Sequence, residues 1–130
     1  MILVDTSIWV ELLGRKGAAR PAFDTFAQMA TCPPVIQEVL QGIREPAAYA
    51  RVRAGMLALP CVGAPVERET YVEAAELYRS GRRAGLTIRS SWDCLIAAIA
   101  LRAQLPVWHR DRDFDAIASF TDLRVVRQPP

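Results

Sequence analysis

Histidine and lysine are almost absent from this 130-residue chain: His109 and Lys16 are the only ones. The three cysteines, Cys32, Cys61 and Cys94, are widely scattered and form no C-x-x-C pair. This argues against a zinc site built from thiolate and imidazole, and an odd cysteine count argues against a disulfide framework. Buried free thiols in a reducing compartment are the expectation. There is no G-x-x-x-x-G-K-[ST] stretch, which removes the phosphate-loop NTPases. Long apolar runs are missing too. The longest, Cys94 to Leu101, falls far short of the roughly 20 residues that span a bilayer. The apolar start is too short for a signal peptide and is broken at Asp5. The expectation is a cytoplasmic protein without membrane association. Net charge is only +2, so the chain is no polycation.

What is present fits a globular domain. Hydrophobic residues make up 52% and charged residues 23%. The length suits one domain over residues 1–130 with a sizeable core. Apart from Lys16 every basic residue is arginine, whose planar fork suits phosphate, although a GC-rich genome would give the same bias.

Elements follow from periodicity. Ile2 to Val4 reads as a short central strand, followed by a helix through Ile8, Trp9, Leu12 and Leu13 that stops near Gly14. Ala18 to Ala30 reads as a second helix with Phe23, Phe26 and Ala30 on one face, and Thr31 and Cys32 as a brief strand. Pro33 and Pro34 suit the first turn of a helix that buries Val35, Ile36, Val39, Leu40 and Ile43. Arg44 to Leu59 reads as helix, with a short strand within Cys61 to Pro65. Glu67 to Arg83 is expected to be a long helix with Val72, Ala75, Leu77 and Tyr78 inside, followed by a loop punctuated by Gly81 and Gly85. Trp92 to Gln104 is the most apolar helix. Pro106 to Trp108 and Leu123 to Val126 read as strands around a short helix that begins near Phe114. Alternating strands and helices imply an α/β fold with a mainly parallel central sheet. Sites in such sheets lie beyond the carboxyl ends of the strands, where Asp5 and Asp111 each follow a strand.

Taken singly the acids are ambiguous. Asp5 suits a helix cap, a role Thr6 or Ser7 would serve equally well. Glu38 sits opposite the apolar face of its helix, as a solvated charge would. Asp111, Asp113 and Asp115 alternate with Arg110 and Arg112, as caps or surface pairs would. Asp93 is more telling. It lies in the first turn of a helix apolar almost all round, in line with Ile96, Ala97 and Ala100. A carboxylate buried there is costly unless neutralised, and Ser90 or Ser91 is available to cap the helix. As a set the acids say more. If Asp5, Glu38, Asp93 and Asp111 converge, each pair at about 5 Å repels by roughly 3 kcal/mol at an effective dielectric of 20. An all-oxygen cluster of this kind selects a hard ion, Mg²⁺ or Mn²⁺, which serves phosphoryl chemistry.

Four stretches, VDTSIWVELL, IQEVLQG, SSWDCLIAAIA and HRDRDFDAI, occur in an order and at separations that resemble the PIN-domain ribonucleases, specifically the VapC-type toxins of toxin–antitoxin pairs. The resemblance runs from end to end. It implies a PIN-like fold and an Mg²⁺-dependent endoribonuclease, with Mn²⁺ able to substitute. Asp5 and Asp93 are then the principal metal ligands, Glu38 a further acid, Asp111 the fourth and Asp113 its acidic neighbour. Thr6 or Ser7 would bond to an acid, a water or the scissile phosphate. Many relatives carry Thr or Ser where His109 stands. Arg89, Arg110 and Arg112 would hold the RNA backbone at the cleft rim. The resemblance also implies a small antitoxin covering the cleft, and a homodimer. Two other readings compete. A phosphoacceptor signalling domain needs a lysine near the phosphoryl group, and Lys16 falls in an expected surface turn. A catalytically inactive PIN-like module that only binds RNA or protein would have lost an acid, and none is missing.

Overall fold

The computed structural model describes residues 1–14 and 21–128; Lys16 and the first part of the expected Ala18–Ala30 helix lie outside them. Four short strands form an all-parallel sheet in the order β2-β1-β3-β4: β1 (Ile2–Val4), β2 (Met29–Ala30), β3 (Val107–Trp108) and β4 (Val125–Val126). Burial explains the central place of β1, since Ile2, Leu3 and Val4 are at most 4% exposed. A strand covered on both faces has no polar alternation to show.

Seven helices flank the sheet among the described residues. They are α1 (Thr6–Gly14), α2 (Phe23–Phe26), α3 (Pro33–Gln41), α4 (Pro46–Ala58), α5 (Arg68–Arg83), α6 (Ser91–Ala103) and α7 (Arg112–Ala118). Prolines open α3 and α4 where no N–H is needed, and the Glu45 carboxylate caps α4 through the N–H groups of Ala47 and Ala48. Helix α6 is the one most deeply set in the core: Asp93, Cys94 and all five residues from Ile96 to Ala100 are buried.

Several expectations are corrected. Ala30 does not share a helical face with Phe23 and Phe26. The chain leaves α2 after one turn, and Met29 and Ala30 become fully buried by pairing in parallel with Ile2 and Leu3. Phe23 and Phe26 instead face outward, 83% and 48% exposed. The expected strand at Thr31 and Cys32 is a single bridge from Thr31 to Cys61, and Cys32 stands at the N-cap position of α3. The inner face of α5 is Thr70, Ala74 and Gly81, while Val72 and Tyr78 are exposed. Gly81 belongs to that helix and not to a loop. A Cβ there would meet Ile88 Cδ1 at 2.6 Å, so its small size lets α5 seat closely. Among the thiols, Cys32 and Cys94 are buried as expected, but Cys61 is exposed.

Candidate active site

Chain direction places the site. All four strands run the same way, so Asp5 after β1 and Asp111 shortly after β3 emerge at one edge of the sheet. The Asp5 N–H is held by the Trp108 carbonyl at 3.0 Å, which ties the two strand ends together. From the flanks, α3 brings Glu38 and the first turn of α6 brings Asp93. The result is a cleft of about 350 Å³ lined by Asp5, Thr6, Ser7, Val10, Glu38, Ser90, Asp93 and Asp111. The four acids expected to converge therefore face one space. Val10 was not singled out from sequence, and Ser90 only as a helix cap, because an exposed apolar residue on α1 and a serine before a helix carry no signal of a site.

Each carboxylate has a distinct setting. Asp5 is 3% exposed, and its Oδ2 accepts the Ser7 N–H at 3.0 Å and the Ser7 hydroxyl at 2.5 Å. The Ser7 oxygen in turn accepts the Arg110 N–H at 3.0 Å. Glu38 is half-buried and accepts the Thr6 hydroxyl on Oε1 at 2.9 Å. It is thus less solvated than its helical face suggests, because α1 packs over it. The hydroxyls of Thr6 and Ser7 are both engaged by acids. Asp111 is the N-cap of α7, with Oδ1 accepting the Asp113 N–H at 2.9 Å. Asp113 is 2% exposed; its Oδ2 accepts the N–H groups of Arg89 and Ser90, each at 3.1 Å. Ser90 occupies the N-cap position of α6 but its side chain makes no capping bond, which corrects the expectation that a serine hydroxyl serves that end.

Burial, more than any other influence, raises the carboxyl pKa values here. It pushes Asp5 upward against the pull of the Ser7 hydrogen bonds, and Glu38 upward against that of Thr6. Asp93 is raised to about 9, first by burial and then by the nearby charges of Asp5, Asp111 and Asp113. One carboxylate oxygen on each of Asp5, Asp93 and Asp113 is buried without a hydrogen-bond partner. Oxygens of Asp93, Asp111 and Asp113 all lie within 4.8 Å of one another. Orphaned acceptors, like charges at close range and a donor set of oxygens alone are what a hard divalent cation requires. The residues thus fit such an ion. Asp93, Asp111 and Asp113 could hold it most directly, with Asp5 and Glu38 across the cleft.

The basic residues divide. Arg89 lies at the cleft edge, 3.9 Å from Asp111 and 3.8 Å from Asp113. Arg112 is exposed at the start of α7. Arg110 is turned away from the acids, its guanidinium bonded to Glu11 at 3.1 Å and to the Arg127 carbonyl. His109 is fully buried and packs on Phe114 with ring centroids 5.2 Å apart. Its Nε2 is 3.5 Å from Asp115, and burial lowers its pKa. Asp115 is not the freely solvated group that helical spacing suggests. It is half-buried and pairs with Arg127.

Comparison with known proteins gives the family of the chain. The PIN domain family model matches residues 2–119. Ribonuclease VapC11 of Mycobacterium tuberculosis is 38% identical over 130 residues, covering 95% of this chain and 96% of that protein. A structure of VapBC-5, a member of the VapBC family of toxin-antitoxin systems from M. tuberculosis, superposes with a TM-score of 0.70 at 19% identity and covers 98% of both chains. VapC20 of the same organism, a Sarcin-Ricin loop cleaving toxin, gives a TM-score of 0.60 at 25% identity, covering 95% of this chain and 99% of that one. The chain belongs to the PIN-domain family, among the VapC proteins.

Proposed function

We propose that the protein is an Mg²⁺-dependent endoribonuclease, with Mn²⁺ able to substitute, and that it acts as the toxin of a toxin–antitoxin pair. The observation that carries this reading is the cleft itself: four converging carboxylates, of which Asp5 and Asp93 each keep a buried oxygen that no donor satisfies, as does the adjoining Asp113. The ribonuclease name of a relative 38% identical over nearly the whole chain supports it.

In this reading Asp5, Glu38, Asp93 and Asp111 are the catalytic acids, and Asp113 joins them around the cation. A divalent ion bound there supplies Lewis acidity for water and neutralises charge developing on the phosphate. The chain's own groups set the geometry. The backbone N–H groups of Arg89 and Ser90 clamp Asp113, the Ser7 hydroxyl orients Asp5, and the Thr6 hydroxyl orients Glu38. Arg89 and Arg112 are the cleft arginines for RNA phosphates. Thr6 and Ser7 sit where a scissile phosphate would arrive, and Arg110 acts through its backbone bond to Ser7.

The partner reading has its own support. Val10, which lines the acid cleft, is 63% exposed and continues into an outward apolar face of Leu13, Phe23 and Phe26. An antitoxin segment laid across this face would cover the cleft, and the likeness to a VapBC structure supports a partner of that kind. The exposed Tyr71, Val72 and Tyr78 of α5 suit a homodimer contact. The reading places its action in the cytoplasm; no helix among the described residues is long and apolar enough to cross a membrane.

Expression of the protein alone tests the reading. It should arrest host growth, and Asp5→Ala should relieve the arrest at equal protein level. Equal toxicity of the two would separate toxicity from this cleft and favour a PIN-like module that only binds.

A further inference from the structure

We propose that Arg89 serves two states of the cleft: counter-ion of the acids before a divalent cation arrives, and ligand of the RNA phosphate after it. The inference rests on the proposed metal-dependent reading of the same site. Its backbone and side chain do separate things. The Arg89 N–H, with that of Ser90, holds Asp113 Oδ2 at 3.1 Å. Its guanidinium approaches the other Asp113 oxygen, Oδ1, at 3.8 Å, and Asp111 Oδ1 at 3.9 Å. Those distances are too long for hydrogen bonds, and Asp113 Oδ1 is indeed a buried oxygen without a partner. The guanidinium therefore offsets charge without closing the site, and its side chain is 55% exposed.

A cation entering between Asp93, Asp111 and Asp113 would face that positive charge and compete with it for the same oxygens. Once displaced, the exposed guanidinium has the reach and the planar fork to take a phosphate oxygen at the cleft mouth. Arg110 is already bound to Glu11, so it offers no equivalent service.

Charges about 4 Å apart in a water-like medium attract by roughly fivefold in an equilibrium constant, and two contacts set a range of about fivefold to twentyfold. The test is calorimetric titration of the metal-free protein with Mn²⁺ at low ionic strength, for wild type, Arg89→Gln and Arg89→Lys. Arg89→Gln should bind Mn²⁺ about fivefold to twentyfold more tightly, and Arg89→Lys, which keeps the charge, within about twofold of wild type. Because the clamp on Asp113 is backbone, all three should fold, as their melting temperatures would register. In a second arm, single-stranded RNA binding is measured in Ca²⁺. Arg89→Gln should weaken it several-fold even though its metal site is better filled. Equal Mn²⁺ affinity in wild type and Arg89→Gln overturns the counter-ion role, and unchanged RNA affinity overturns the phosphate role. Absence of Mn²⁺ binding in all three would instead bring down the metal-dependent reading on which the inference rests.

Discussion

Replacing Asp93 by Asn should make the metal-free protein more stable, by an amount that grows with pH. Asp93 is 6% exposed, and its oxygen lies within 4.8 Å of oxygens on Asp111 and Asp113. Each ionised pair at that range repels by roughly 3.5 kcal/mol at an effective dielectric of 20. Burial first, and this repulsion with it, holds the folded-state pKa at about 9, against the ordinary carboxyl value of 3.8. Between those values the folded wild type keeps a proton that the unfolded chain has released. Stability is therefore lost as pH rises through that window, by up to about 1.4 kcal/mol per pH unit. Asn carries no such proton. The gain of Asp93→Asn over wild type should therefore increase from pH 5 to pH 7 and level off once the folded-state carboxyl has ionised. Urea unfolding in chelator at four pH values measures this directly. Added Mn²⁺ should reverse the order, because wild type gains a ligand that the variant has lost. A variant less stable than wild type at pH 7 in chelator, or a difference independent of pH, would refute the reasoning and make Asp93 a structural group of the α6 N-terminus.

Other expectations concern neighbouring groups. Asp111→Asn should slow RNA cleavage at least about tenfold, roughly 1.4 kcal/mol of barrier. Asp113→Asn should lose both rate and melting temperature, because that carboxylate is buried and holds two backbone N–H groups. Asp115→Asn should leave the rate intact and cost under about 1 kcal/mol of stability, the worth of its exposed pair with Arg127; single-mutant rates in saturating Mg²⁺ and thermal melts rank the three. Thr6→Val should raise the Glu38 pKa further by removing the hydroxyl that lowers it, whereas Thr6→Ser should not; carboxyl NMR titration reads this out. Gly63→Ala should destabilise the fold by about 2–4 kcal/mol without altering Mn²⁺ affinity, because Gly63 has φ +66° and a Cβ there would lie 2.8 Å from Ile99 Cγ2.

Much of this site is legible in the sequence because the acids stand at positions with a fixed structural meaning. Asp5 directly follows an apolar triplet, and Asp93 interrupts an apolar helix in its first turn; either placement is hard to explain by solvation. Glu38 is less legible. Helical periodicity reports which face of α3 meets the core, but not that α1 packs across the opposite face and donates the Thr6 hydroxyl. The division of labour between Asp111 and Asp113 was likewise hidden. Two acids one residue apart look interchangeable until the turn into α7 makes the first a cap and buries the second against the backbone of Arg89 and Ser90. Arg110 was misleading for the same reason: proximity in sequence to Asp111 says nothing of Glu11, which draws its side chain away. In the fold, Met29 and Ala30 read as helix because a strand of two residues is too short to show a period of two, and only pairing with β1 defines it. On α5 the inner face is drawn by small residues, Ala74 and Gly81, whereas hydrophobicity alone favours Val72 and Tyr78.

The central claim is that this acid cleft hydrolyses RNA with the help of a divalent cation. Cleavage of a single-stranded RNA by the purified protein, with the ends of the products identified, tests it most directly. The account predicts cutting in Mg²⁺ or Mn²⁺, none in chelator, none with Asp5→Ala, and products with 5′-phosphate and 3′-hydroxyl ends, as in-line attack by water leaves them. Full activity in chelator, or products ending in cyclic phosphate, would contradict it.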